Sequence, residues 1–268
     1  MRSDAFHHPD FCPTVIRQRL TAEVLNLLAD GFVLSTRRGT AIWRAFYPND
    51  EAYRAACSRL RKKGLIAERG REGKAPVFEI CPDGEAAAAE VCRRRPPWAK
   101  QWNGIWYQVS YDVPEADRRY RTVLRDFLKR RRMGCLQKSL WITPHDIRPD
   151  YADLVLTAQV DLYSFLFESR TVLGRPATDI VQHAWDMERL AAAQAWYVSA
   201  YREHLQRALA GHEPPDRLRE LLRTELSVYL TVMEKDPLLP RPLWPKGYQG
   251  EKAWRFHRRF VRKLAPLL

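Results

Sequence analysis

Across 268 residues, 45 lysines and arginines outnumber 32 aspartates and glutamates, giving a net charge of +13 and a pI of about 9.8. With 46% hydrophobic and 11% aromatic residues the chain has ample material for packed cores, which excludes a disordered polycation. The longest stretch without a charged residue, Leu190 to Tyr201, is 12 residues, short of the ~20 needed to cross a bilayer, so no membrane span is expected.

The segment from Met1 to Pro9 has neither an apolar core nor a small-residue cleavage site, so the expected location is the cytoplasm. Five cysteines, Cys12, Cys57, Cys81, Cys92 and Cys135, form no CxxC pair and no zinc-ligand spacing, and are expected as reduced, packed thiols. The charge is unevenly placed. Arg37 to Lys74 holds 11 basic and 4 acidic residues, a net of +7; residues 103–190 net +1 and residues 191–268 net +6. A basic excess concentrated in one supersecondary unit is the mark of a docking surface for a polyanion, with nucleic acid first.

In chain order, the spacing of Leu20, Val24, Leu27 and Leu28 predicts a helix from Arg17 to Ala29, and Ala41, Ile42, Ala45 and Phe46 predict another from Gly39 to Phe46. Pro48 breaks the chain, and Asn49 as N-cap, followed by Asp50 and Glu51, starts a third helix that runs to about Lys63. Its inward face is Tyr53, Ala56, Cys57 and Leu60, leaving Arg54, Ser58, Arg61 and Lys62 outward, and Gly64 stops it. Leu65 to Glu68 and Val77 to Cys81 flank a turn at Gly70 to Lys74, predicting a basic-tipped hairpin. Three helices and a basic hairpin form the order of a winged helix-turn-helix. The third helix would enter a major groove and the wing would contact phosphate or minor groove. The candidate DNA-binding residues are Arg54, Ser58, Arg59, Arg61, Lys62, Lys63, Arg69, Arg71 and Lys74, with Arg54 and Arg61 reading base edges and Arg71 and Lys74 positioning the module. The alternative is a small helical domain with a solvated basic face.

Asp83 to Cys92 predicts a helix leading out of the wing, and Arg93 to Pro97 marks a boundary. Strand Ile105 to Val113, helix Glu115 to Arg132, strand Cys135 to Ile142, short helix Tyr151 to Ala158 and strand Tyr163 to Val172 give a β-α-β-α-β order that suggests a ferredoxin-like sandwich. Arg118, Arg121, Arg125, Lys129 and Arg132 make a stripe read first as solvated surface and second as a phosphate contact. Helices follow at Asp186 to Leu209 and Asp216 to Met233, then a proline-rich stretch from Asp236 to Pro245. A last helix, Gln249 to Leu264, carries six cations, Lys252, Arg255, Arg258, Arg259, Arg262 and Lys263.

No GxSxG, HExxH, GxGxxG or metal-spaced acidic pair occurs, so no enzyme is expected and no metal or catalytic residue is assigned. Asp112, at a strand end, is the one carboxylate that fits metal-dependent phosphodiester cleavage, against a simpler role in the turn before Pro114.

Three segments, Arg54 to Leu65, then Trp106 to Pro114 with Ser139 to Pro144, and finally Asp236 to Pro240, together resemble the PaaX family of phenylacetate-degradation repressors, in that order and over most of the chain. The resemblance implies an α+β protein: a winged helix over 1–94, a ferredoxin-like domain similar to a CRISPR adaptation endonuclease over 95–180, and a helical domain over 181–268. It also implies a homodimer on double-stranded operator DNA, repressing aromatic-acid catabolic genes and released by an aryl-CoA thioester, typically phenylacetyl-CoA, with no cofactor of its own. It places Arg54, Ser58, Arg59 and Arg61 on the recognition helix and Asp112 at the nuclease-like aspartate of the central fold. A metal-dependent endonuclease centred on Asp112, and a constitutive DNA-binding protein without effector, are the competing readings.

Overall fold

The computed structural model describes residues 50–72, 75–82, 98, 101–171, 175–211, 213–264 and 267. The helices expected over 17–29, 39–46 and 83–92, the cap at Asn49, the boundary segment 93–97 and Lys74 lie outside the described residues. The architecture is α+β. Two compact units divide the chain: Met1–Pro96 with Ala193–Glu234 and Glu251–Leu268, and Pro97–Ala192 with Lys235–Gly250.

In the first unit, α1 (Asp50–Lys62) precedes a two-stranded antiparallel hairpin, β1 (Ile66–Glu72) and β2 (Ala75–Ile80). The helix ends because Gly64 takes φ +68°, a left-handed conformation that costs glycine little. There Leu65 N donates to Leu60 O at 3.0 Å and Gly64 N to Arg61 O at 2.9 Å, which satisfies carbonyls the helix leaves open.

The second unit is built on a four-stranded antiparallel sheet of order β4-β5-β3-β6, from β3 (Trp106–Tyr111), β4 (Gly134–Gln137), β5 (Leu140–Thr143) and β6 (Ser164–Ser169). With α2 (Arg118–Arg130) between β3 and β4 and α3 (Arg148–Ala158) between β5 and β6, the order is β-α-β-β-α-β, ferredoxin-like. The single strand expected over 135–142 is instead a hairpin. It turns at Lys138 and Ser139, and a register irregularity between Cys135 and Gln137 accommodates the bend.

β3 is central, and alternation sends its side chains into two cores. Tyr107, Val109 and Tyr111, with Trp141 from β5, pack against Leu124, Phe127 and Leu128 of α2 and Leu154 of α3. On the opposite face, Trp106 and Ile142 pack against Ile180, Val181 and Ala184 of α4 (Ala177–Ala184) and against Leu239 and Leu243. The Asp236 to Pro240 segment is therefore a strap over the sheet. Asp236, fully buried, holds its bend: its carboxylate accepts Leu238 N at 2.7 Å and the Tyr248 hydroxyl at 2.7 Å, while Leu238 sits at φ +55°. Arg132 Nη1 donates to Asp236 O at 2.9 Å, His145 Nε2 to Pro237 O at 2.9 Å and Trp244 Nε1 to Leu239 O at 2.7 Å.

Three helices run through the remainder: α5 (Met187–Leu209), α6 (Pro215–Glu234) and α7 (Gly250–Leu264). In the first unit their buried faces meet around the Glu225 carboxylate of α6, which accepts the Tyr197 hydroxyl of α5 and lies 3.0 Å from His257 Nδ1 of α7. The His257 ring stacks on Tyr229 at 3.9 Å between centroids, and Tyr197 meets Phe256 edge-on at 5.7 Å. A buried carboxylate is tolerated only when its oxygens are satisfied, and here two polar partners converge on it. Burial, with the nearby Glu225 carboxylate, pushes the Tyr197 hydroxyl well above its ordinary range, so it donates and does not ionise.

Candidate nucleic-acid interface

α1 buries one face and presents another. Tyr53, Ala56, Cys57 and Leu60 are buried, at the i, i+3, i+4, i+7 positions of an amphipathic helix. Burial pushes the Cys57 thiol up to about 11, so it behaves as a packed apolar group. Arg54, Ser58, Arg59, Arg61 and Lys62 are exposed on the helix, and Lys63 is exposed just beyond it. Arg54, Ser58 and Arg61 recur at i, i+4 and i+7, so they line one ridge.

The hairpin continues this surface. Arg69 and Arg71 are exposed on β1, beside a bulge between Glu68 and Gly70 that increases local twist. Glu68 lies 3.6 Å from Arg61 and 3.3 Å from Arg71, tying the end of the helix to the first strand of the hairpin. Such exposed pairs contribute at most about 1 kcal/mol, so they orient side chains more than they stabilise the fold. Arg54 Nε donates to Asp50 O at 3.2 Å, which directs its guanidinium along the helix. An exposed helix of this width is what a major groove admits, and guanidinium groups on it can make paired hydrogen bonds to guanine.

The other sequence candidates fall elsewhere. Asp112 is exposed just after β3, its backbone N donating to Tyr163 O at 2.9 Å. Among the described residues no three His, Cys, Asp or Glu side chains are grouped to hold a metal ion. The stripe on α2 is broken up by internal bonds: Arg121 donates to Val113 O at 2.7 Å and pairs with Glu115 at 3.0 Å, and Arg132 is committed to the strap. The sequence reading missed α4, whose Ile180, Val181 and Ala184 cover the sheet, although that apolar triplet at helical spacing was visible. No helix among the described residues is long and apolar enough to cross a membrane.

A helix with an exposed basic ridge, followed by a hairpin, in one unit, and a ferredoxin-like sheet under a proline-rich strap in the other, define a two-part α+β architecture. Comparison with known proteins narrows this. Residues 99–181 match the PaaX protein central Cas2-like domain. The chain is 23% identical over 225 residues to the transcriptional repressor PaaX of Escherichia coli K12, covering 80% of this chain and 68% of that protein. The structure is similar to that of the uncharacterized protein Rv0674 from Mycobacterium tuberculosis, with a TM-score of 0.55 at 18% identity over 93% of this chain and all of the other. The chain is thus similar to the PaaX family, in its central domain by the family model and along most of its length by the E. coli repressor.

Proposed function

We propose that this protein is a DNA-binding transcriptional repressor and not an enzyme. The observation that carries this reading is the exposed basic ridge of α1, continued on β1, in a chain similar to the E. coli repressor. Completed by residues 17–46, the unit is a winged helix-turn-helix. Its third helix enters the major groove with Arg54 and Arg61 at base edges and Ser58, Arg59, Lys62 and Lys63 beside them, while Arg69, Arg71 and Lys74 position the wing on the backbone.

The repressor acts in the cytoplasm as a homodimer, whose two recognition helices reach successive major grooves about 34 Å apart. The edge strand β6 and its exposed phenylalanines support a self-complementary contact. An aryl-CoA thioester, phenylacetyl-CoA in the first instance, relieves repression of aromatic-acid catabolic genes by binding better to a conformation with the wrong helix separation. The effector follows from the family resemblance, and thermal shift with phenylacetyl-CoA tests it: a ligand of the native state raises Tm.

The central test uses the duplex that the protein selects from a random pool. Arg54→Ala and Arg61→Ala each lower the preference for that duplex over random DNA by about 1–3 kcal/mol. Arg71→Ala weakens binding to both alike. Unchanged discrimination in the first two variants removes the assignment of the reading helix.

A further inference from the structure

The second concentration of positive charge in the chain lies in its last third, and much of it sits on α7. Lys252, Arg255, Arg259, Arg262 and Lys263 are exposed there, while Ala253, Phe256, His257, Phe260, Val261 and Leu264 are buried. With 3.6 residues per turn, the five exposed cations fall within an arc of about 100° and extend over about 16 Å of helix. Arg255 pairs with Glu251 at 2.7 Å, and the Arg258 guanidinium lies over the Trp254 ring at 5.0 Å. Lys252, Arg259, Arg262 and Lys263 have no ion pair among the described residues.

The helix that carries them is held firmly. Phe260 meets Tyr201 edge-on at 6.0 Å, His257 stacks on Tyr229, and His257 Nδ1 reaches the buried Glu225. The cations are therefore presented on a fixed rod. That suits a ligand with charge repeated along a line and suits a compact acidic molecule less. The outward arc has none of the apolar residues that an amphipathic helix lays into a lipid surface, because its phenylalanines and Leu264 face inward. Duplex DNA, with one phosphate per ~1.7 Å of axis, is the polyanion whose charge density matches a stripe of this length.

We propose that the α7 stripe is a second, sequence-independent DNA contact that takes two to four backbone phosphates. This rests on the reading of the protein as DNA-binding, but not on which residues read the bases. The stripe adds affinity and salt dependence without adding discrimination, because phosphate contacts position and do not specify.

The experiment measures binding of the full chain to a random 40-bp duplex and to its selected duplex across a salt series, for the wild type and for Lys252→Gln/Arg259→Gln/Arg262→Gln/Lys263→Gln. All four side chains are exposed, and an unchanged thermal midpoint verifies the fold of the variant. The expected result is a log–log salt slope shallower by about 2–4 on both duplexes, with discrimination between them unchanged. A wild-type slope in the variant overturns the proposal. So does an unchanged slope together with loss of a thermal shift by free coenzyme A, which would make the stripe a site for a small acidic ligand. Failure of the reading-helix assignment appears separately, as retained discrimination in Arg54→Ala and Arg61→Ala. Absence of any duplex binding by the wild type overturns both.

Discussion

Glu225 holds a demanding position: it is completely buried, on a helix, with its carboxylate shared by a phenol from α5 and an imidazole from α7. Replacing such a pair with apolar residues can be neutral, but deleting one partner strands the other. Glu225→Ala is accordingly expected to cost about 3–5 kcal/mol, read as a lower urea midpoint, because His257 and Tyr197 lose the acceptor they converge on. Tyr197→Phe removes one hydrogen bond and leaves the imidazole contact, so its cost should be nearer 1–2 kcal/mol. If the two variants lose the same amount, the carboxylate is not the centre of that cluster. Nothing in the local sequence marks Glu225 for this role. It sits among Leu221, Leu222, Leu226 and Tyr229 on an apolar helix face, and its partners lie 28 and 32 residues away in the chain.

At the level of elements, periodicity made most of the helices legible. The buried face of α1, the long α5 and the cationic α7 follow from apolar residues at helical spacing, because each packs one side only, and α6 shows the same spacing although none of its residues from Leu221 to Met233 is exposed. The β4–β5 hairpin was not legible. Its turn, Lys138-Ser139, has no glycine, proline or asparagine, so the run from Cys135 to Ile142 reads as one strand. The reason for Gly134 was equally hidden. A Cβ there would lie 2.6 Å from both Ala184 Cβ and Trp185 Cε2, where α4 presses on β4. Gly134→Ala should therefore destabilise the protein by about 1–3 kcal/mol through overpacking, measured by thermal or chemical denaturation. A neutral result would mean that α4 moves away at little cost. For the candidate interface, the exposed residue types were readable from the helical pattern, whereas the ties from Glu68 to Arg61 and Arg71 needed the hairpin to bring them together.

At the scale of the whole molecule, the sheet ends on two edge strands among the described residues, β4 and β6. β6 is its last strand among the described residues, and Phe165 and Phe167, opposite Ser110 and Gln108 of β3, are 64% and 49% exposed with ring centroids 6.2 Å apart. An edge strand with two exposed aromatics invites pairing unless another surface covers it. If the homodimer uses this edge, Phe165→Asp/Phe167→Asp sediments as a monomer at concentrations where the wild type is dimeric, and binds its selected duplex more weakly. A variant that remains dimeric places the self-contact elsewhere. The strap has a different consequence, for anyone who would dissect the protein. Lys235–Gly250 completes the core under the sheet, yet in the chain it lies between two helices of the other unit. A fragment ending near Ala192 would therefore lack Leu239, Leu243 and the Asp236 carboxylate, and would expose Trp106 and Ile142 to water. No single cut separates two self-sufficient pieces, and studying the central sheet in isolation requires rejoining the strap to it through a new linker.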